Sequence, residues 1–196
     1  MNQIKMPSGF NPKELSFGEN GRGKLISGIT QIANAVKSTL GPRGNTVLIE
    51  SQYVTGGLTV TKDGVTVAKA VDLLDPVENL AVRMMKQAAD NTATSAGDGT
   101  TTAIVLTEAL VKQGDALMDD TTNRAEVLRE IVKETENVIS QLKKSSKRIT
   151  NKRLMDVAII SANNDKAIGK VIADTYKKVG KNGIVTVEKS ESSETY

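Results

Sequence analysis

The segment Gly97-Asp98-Gly99-Thr100-Thr101-Thr102 places one carboxylate and three hydroxyls between glycines and an apolar run. If a helix starts there, its free backbone N–H groups and positive dipole end attract anions. The threonine hydroxyls add donors for phosphate oxygens, and Asp98 could hold a magnesium that bridges two phosphates. The same residues could instead cap a buried helix and do nothing more. A second segment, Thr39-Leu40-Gly41-Pro42-Arg43-Gly44, has glycines that let a backbone approach a ligand, but it also reads as a helix stop and turn. A third, Gly18 to Leu25, nearly matches a P-loop. Leu25 stands where the magnesium-reaching Ser or Thr belongs, and no clear buried strand precedes it. A mobile loop leading into a helix accounts for it better.

Other chemistries are closed to this chain. It has no cysteine and no histidine, so disulfides, the usual zinc sites and a triad working through His are excluded. What remains is carboxylate, hydroxyl, lysine and backbone chemistry with hard cations. Net charge is +3, with basic and acidic residues mixed. The densest basic run is Lys143, Lys144, Lys147 and Arg148, followed by Lys152 and Arg153. It has no aromatic interleaved for base stacking and reads as a solvated helix end and linker. Nucleic acid is therefore not expected as a partner. Met1 to Ser8 contain no apolar stretch and no long apolar run occurs elsewhere, so neither a secretory signal nor a membrane span is expected and the reading is cytoplasmic.

The elements that would position these groups are mostly helical. Aromatics make up only 3%, so a core must be built from Ala, Val, Leu, Ile and Met, which favours helix packing. Apolar spacing of three and four predicts a helix from Glu19 to Leu40, stopped by Gly41-Pro42. Thr46 to Glu50 and Leu58 to Thr61 read as a hairpin around Thr55-Gly56-Gly57, followed by a Lys62-Asp63-Gly64 turn. Val65 to Ala70 is apolar on one side. Helices are expected from Asp75-Pro76 to about Ala93, over Thr100–Gln113, over Asn123–Lys144, over Lys152–Ile160 and over Asp165–Val179. The Thr100–Gln113 helix is apolar nearly all round and should be central. Ser145 to Thr150 is a polar connector. Ile184 to Glu188 alternates as a strand, with nothing after it to pair with, which suggests a fold completed elsewhere.

Taken together, Thr39 to Gly44, Val60 to Val65, Ala96 to Ala103 and Ile160-Ser161-Ala162-Asn163 resemble the ATP-site motifs of the chaperonins, in that family's order. Val179 to Glu188 resembles the strand that rises toward the family's client-binding domain. The form Lys62-Asp63-Gly64 resembles group I rather than group II. The resemblance runs from about Leu15 onward.

It implies an α+β, mostly helical fold. Residues 1–143 would form the amino-terminal half of an equatorial ATP-binding domain, and 144–196 the ascending part of an intermediate domain, with the apical domain absent. Thr39, Leu40, Gly41 and Pro42 would lie along the nucleotide. Asp98 would bind Mg2+, and Gly99, Thr100, Thr101 and Thr102 would hold phosphate oxygens of ATP or ADP. The backbone at Thr39 and Lys62, with Asp98, would form a K+ site. Asp63 and Gly64 belong to the second motif, with Asp63 near the attacking water as the catalytic carboxylate. Ile160, Ser161 and Asn163 would close over the site.

The implied partners are identical subunits in a ring, with unfolded clients and a co-chaperonin lid bound through the absent domain. Asp119 and Asp120 depart from the small or neutral residues expected near an inter-ring contact, which bears on a double ring. Two other readings compete. One is a non-catalytic ring-assembly module; the other is a small phosphotransferase using Gly18 to Leu25, in which Lys24 would matter more than Asp98.

Overall fold

The computed structural model describes residues 15–41, 43–50, 57–180 and 183–188. Its element order is α1 (Gly18–Lys37), β1 (Val47–Glu50), β2 (Leu58–Thr61), α2 (Gly64–Ala70), α3 (Pro76–Ala96), α4 (Thr100–Leu117), α5 (Arg124–Ser145), α6 (Asn151–Ser161) and α7 (Lys166–Val179). The chain divides into two units, Met1–Thr122 and Asn123–Tyr196.

In the first unit α1, α3 and α4 pack on one another, with α2 filling the gap among them. The core is Ile32, Ala33 and Val36 of α1, Val67 and Ala68 of α2, Val82, Met85 and Ala89 of α3, and Ile104 of α4. Burying each larger side chain contributes about 1.5–3 kcal/mol, which is what holds these helices together. Small residues set the spacing. A Cβ at Gly28 would strike the Glu78 carbonyl, so α1 and α3 cross with backbones almost touching. Asp75 starts α3 as expected, its carboxylate accepting from the N–H groups of Val77 and Glu78, with Pro76 in the first turn.

Two expectations change here. Gly18 to Leu25 is not a mobile loop; it forms the first two turns of α1. A helical turn cannot wrap a phosphate as a P-loop does, and Lys24 pairs with Asp75 at 2.6 Å. The P-loop reading, and the phosphotransferase with it, is thereby lost. Next, α4 is less central than its composition implied. Only Thr100, Ile104 and Glu108 are buried, one stripe along the helix, while Leu106 and Leu110 are each 58% exposed. Val65 to Ala70, to which the sequence assigns no element, lies in a short helix whose first turn Asp63 caps.

β1 and β2 pair antiparallel, with Val47 opposite Thr61, Leu48 opposite Val60, Ile49 opposite Thr59 and Glu50 opposite Leu58. Val47 and Ile49 face the core. Leu48, Leu58 and Val60 line the outer face and are exposed. The Gly-Gly tip expected at 55–57 lies mostly outside the described residues.

In the second unit α6 and α7 pack on each other. Gly169 sits against Ile159 so closely that a Cβ would meet its backbone at 2.7 Å, and Ala158 and Ala173 are buried between them. α5, capped by Asn123, has no buried residue. The expected strand over Ile184–Glu188 is not formed: the segment has no regular structure, and Ile184 and Val187 are exposed. Alternation alone does not make a strand without a partner to accept its backbone hydrogen bonds.

Candidate phosphate-binding site

Three sequence segments meet inside the first unit. α1 ends at Lys37, and the chain turns through Ser38 to Asn45, held by Gly44 N–H to the Gly41 carbonyl (2.9 Å) and Asn45 N–H to the Ser38 carbonyl (2.7 Å). Gly41, at φ 78°, lets the chain reverse in the left-handed region. Thr39 is buried, its hydroxyl donating to the Val36 carbonyl at 2.8 Å. Leu40 and Gly41 are exposed at the tip, and Pro42 lies outside the described residues.

Gly64, the first residue of α2, lies between this turn and α4. A Cβ there would land on the Thr101 hydroxyl and come within 3.3 Å of the Thr39 hydroxyl. One missing methyl group thus brings Thr39, Gly64 and Thr101 into contact, although they are far apart in sequence. The pattern of glycines in the sequence did not reveal this convergence.

Asp63, one residue earlier, is an N-cap. Its carboxylate accepts from Val65 N–H (3.3 Å), Thr66 N–H (2.9 Å) and the Thr66 hydroxyl (2.6 Å). Partial burial acts to raise its pKa. The Thr66 hydroxyl, the two N–H groups and the charge of Lys69 outweigh that, and hold the carboxyl below its usual range. An acid so stabilised in its ionised form is a weak proton acceptor. It can orient a water or place negative charge, but it does not readily take up a proton. Lys62 is exposed beside it, in the link from β2 to α2.

The loop from α3 to α4 has only Gly97, Asp98 and Gly99, and both glycines have positive φ (74° and 87°). α4 therefore begins abruptly, with Gly99 as its N-cap and no side-chain cap. This weighs against the capping reading of Asp98 and the threonines. The Asp98 carboxylate is exposed and accepts from Gly99 N–H at 2.6 Å. Thr100 is buried at the helix start, Thr101 is half-buried against Gly64, and Thr102 is exposed.

These groups suit a polyphosphate with a hard cation. The uncapped end of α4 and its hydroxyls provide donors. Asp98 provides one carboxylate, and magnesium commonly takes only one or two from a protein, with phosphate and water completing its shell. No cluster of three or more acidic or other ligating residues occurs among the described residues, so an all-protein metal cage is not offered there. Ile160 and Ser161 lie at the end of α6 in the second unit. Asn163 follows in a left-handed turn (φ 53°), shared with Asn164 (φ 66°).

One charged group escaped the sequence reading. Glu108 lies on the buried stripe of α4, where the run seemed apolar all round; its side chain is 4% exposed and paired with Lys37 and Lys112. The available signal was a lone carboxylate four residues after Ile104 and four before Lys112.

Residues 32–195 match the model of the TCP-1/cpn60 chaperonin family. The fold is similar to crystal structures of the chaperonin gp146 from the bacteriophage EL 2 (Pseudomonas aeruginosa) in the presence of ATP-BeFx. In one crystal form the TM-score is 0.71 at 30% identity, covering 85% of this chain; in the other it is 0.69 at 32% identity, covering 82%. It is also similar to a group III chaperonin in the open state, with a TM-score of 0.67 at 24% identity over 84% of this chain. The matched region is 28% of the gp146 chain and 34% of the group III chain.

Proposed function

The chain belongs to the TCP-1/cpn60 chaperonin family, and we propose that it is the phosphate-holding part of an ATP-dependent chaperonin subunit, which assists protein folding within a ring. The observation that carries this is the contact of Thr39, Gly64 and Thr101 beside the uncapped start of α4. The Lys62-Asp63-Gly64 form favours group I. Residues 1–143, α5 included, are assigned to the equatorial domain, and 144–196 to the ascending intermediate domain.

In this reading the turn Thr39-Leu40-Gly41-Pro42 runs along the nucleotide, and Gly99 to Thr102 bind phosphate oxygens through N–H and hydroxyl donors. Asp98 holds Mg2+, and the backbone at Thr39 and Lys62 serves a K+ ion. Bound magnesium neutralises phosphate charge. Asp63 aligns the attacking water rather than deprotonating it, in keeping with its lowered pKa. Ile160, Ser161 and Asn163 close over the nucleotide. ATP binding and hydrolysis then bias the hinges that enclose and release clients. Identical subunits, clients, a co-chaperonin lid and a cytoplasmic setting complete the proposal. No helix among the described residues is long and apolar enough to cross a membrane.

The test is magnesium-dependent ATP binding and phosphate release by the full-length protein, with Gly64→Val as the probe. The valine should collide with the Thr101 hydroxyl, force the turn and α4 apart and abolish both. Unchanged nucleotide affinity in a folded Gly64→Val protein would reject the site. The ring-assembly module without turnover stays in view because the chain matches only about a quarter of the gp146 length. ATP binding without phosphate release would favour it.

A further inference from the structure

Glu108 is a buried carboxylate with no part in the phosphate site as described. Its side chain is 4% exposed. It ends the buried stripe that starts at Thr100 and passes through Ile104. One oxygen pairs with Lys37 of α1 and the other with Lys112, 3.3 Å away. Lys37 is the last residue of α1 and lies two residues before Thr39. The ion pair therefore ties the helix that begins with the threonines directly to the end of the helix that delivers the Thr39 turn.

Stability alone does not account for a charge at this position. Removing a carboxylate from water costs several kcal/mol, and an apolar side chain would commonly fill such a site at no loss. The ion pair differs from an apolar filler in being directional: it holds Lys37 at one height along α4. Apolar packing between α1 and α4 constrains their sliding more weakly. The distance between Thr39 and Thr101, closed over Gly64, depends on that height.

We infer that Glu108 and Lys37 form a positioning pair that fixes the Thr39–Gly44 turn relative to the start of α4, and so sets affinity for the nucleotide's phosphates. The inference rests on the proposed nucleotide site. Two readouts in the full-length protein separate the two ideas. The first is MgATP affinity, measured in Glu108→Gln, Lys37→Met and the apolar double variant Lys37→Met/Glu108→Leu, with the thermal midpoint of each recorded. Both single variants should bind MgATP about tenfold more weakly, the equivalent of about 1.4 kcal/mol of lost positioning. The double variant should regain thermal stability but not affinity.

The second readout needs no ligand: hydrogen exchange of the amides in residues 38–45, which should quicken at least tenfold in Glu108→Gln while the α3 amides stay protected. Wild-type affinity in the single variants would overturn the pair's role, as would affinity restored together with stability in the double variant. If the wild-type protein binds no MgATP, the nucleotide reading fails. The exchange result then decides the pair by itself, and unchanged exchange at 38–45 overturns it.

Discussion

Two aspartates share the proposed site, but their surroundings differ, so their substitutions should differ as well. Asp98 is exposed in a three-residue loop and makes one short bond to its neighbour's N–H. Asp98→Ala should abolish hydrolysis and remove the magnesium dependence of ATP binding with little loss of stability, measured by phosphate release and by titration with and without Mg2+. Asp63, by contrast, caps α2. Asp63→Ala should cost about 1 kcal/mol of stability through the lost cap. Asp63→Asn keeps an acceptor for that cap and isolates the charge. It should slow hydrolysis far more than it weakens binding, and equal losses would count against a role in the transition state.

The same environments bear on pH. Burial acts to raise the pKa of Glu108, and the hydrogen bonds and charges of Lys37 and Lys112 more than reverse this, so it stays lowered. A carboxyl whose folded pKa is lowered contributes stability above its unfolded pKa, about 4.3 for glutamate, and loses it as pH falls through the folded value. Thermal midpoints measured from pH 6 down to pH 3 should therefore fall less steeply in Glu108→Gln than in the wild type.

Among the elements, the hairpin raises its own question. Its inner face is anchored by Val47 and Ile49, while Leu48, Leu58 and Val60 face outward, and no third strand pairs with it among the described residues. A two-stranded ribbon is marginal in isolation, so it should be completed by strands of a neighbouring subunit through edge pairing. Deleting residues 53–58 should dissociate rings, and mass measurements finding them intact would refute this.

Local signals located the larger elements well. Asp75-Pro76, Asn123 and Asp165 mark helix starts because their side chains bond the first free N–H groups, an interaction visible in sequence. α2 escaped because its cap, Asp63, also reads as a turn residue. The start of α1 followed the apolar spacing read from Glu19, against the loop that the glycines of Gly18 to Leu25 suggested; Gly21 lies tight against Ser16, and packing overrides propensity. Ile184–Glu188 shows the converse, a strand pattern lacking the partner that would make it one. In the site, each loop could be recognised singly. Their meeting at Gly64 is a tertiary contact that no local pattern encodes.

At the scale of the molecule, apolar surface is the dominant feature. α4 exposes Leu106, Leu110 and Leu117, and α5 exposes Leu128, Val132, Val138 and Leu142 along one side. Patches of this kind mark surfaces that are normally covered. Residues 1–196 expressed alone should therefore self-associate, bind a hydrophobic dye and show little or no ATP turnover. Steady phosphate release from a clean monomer would contradict this. The Thr39–Gly64–Thr101 contact has a further consequence, in time rather than in space. Every residue of it belongs to the first of the two units, and domains generally fold as units, the amino-terminal one first, as the chain leaves the ribosome. A nascent chain arrested once α4 has emerged should already hold this cradle, and should be shielded from protease by MgATP while α5 is still inside the ribosome.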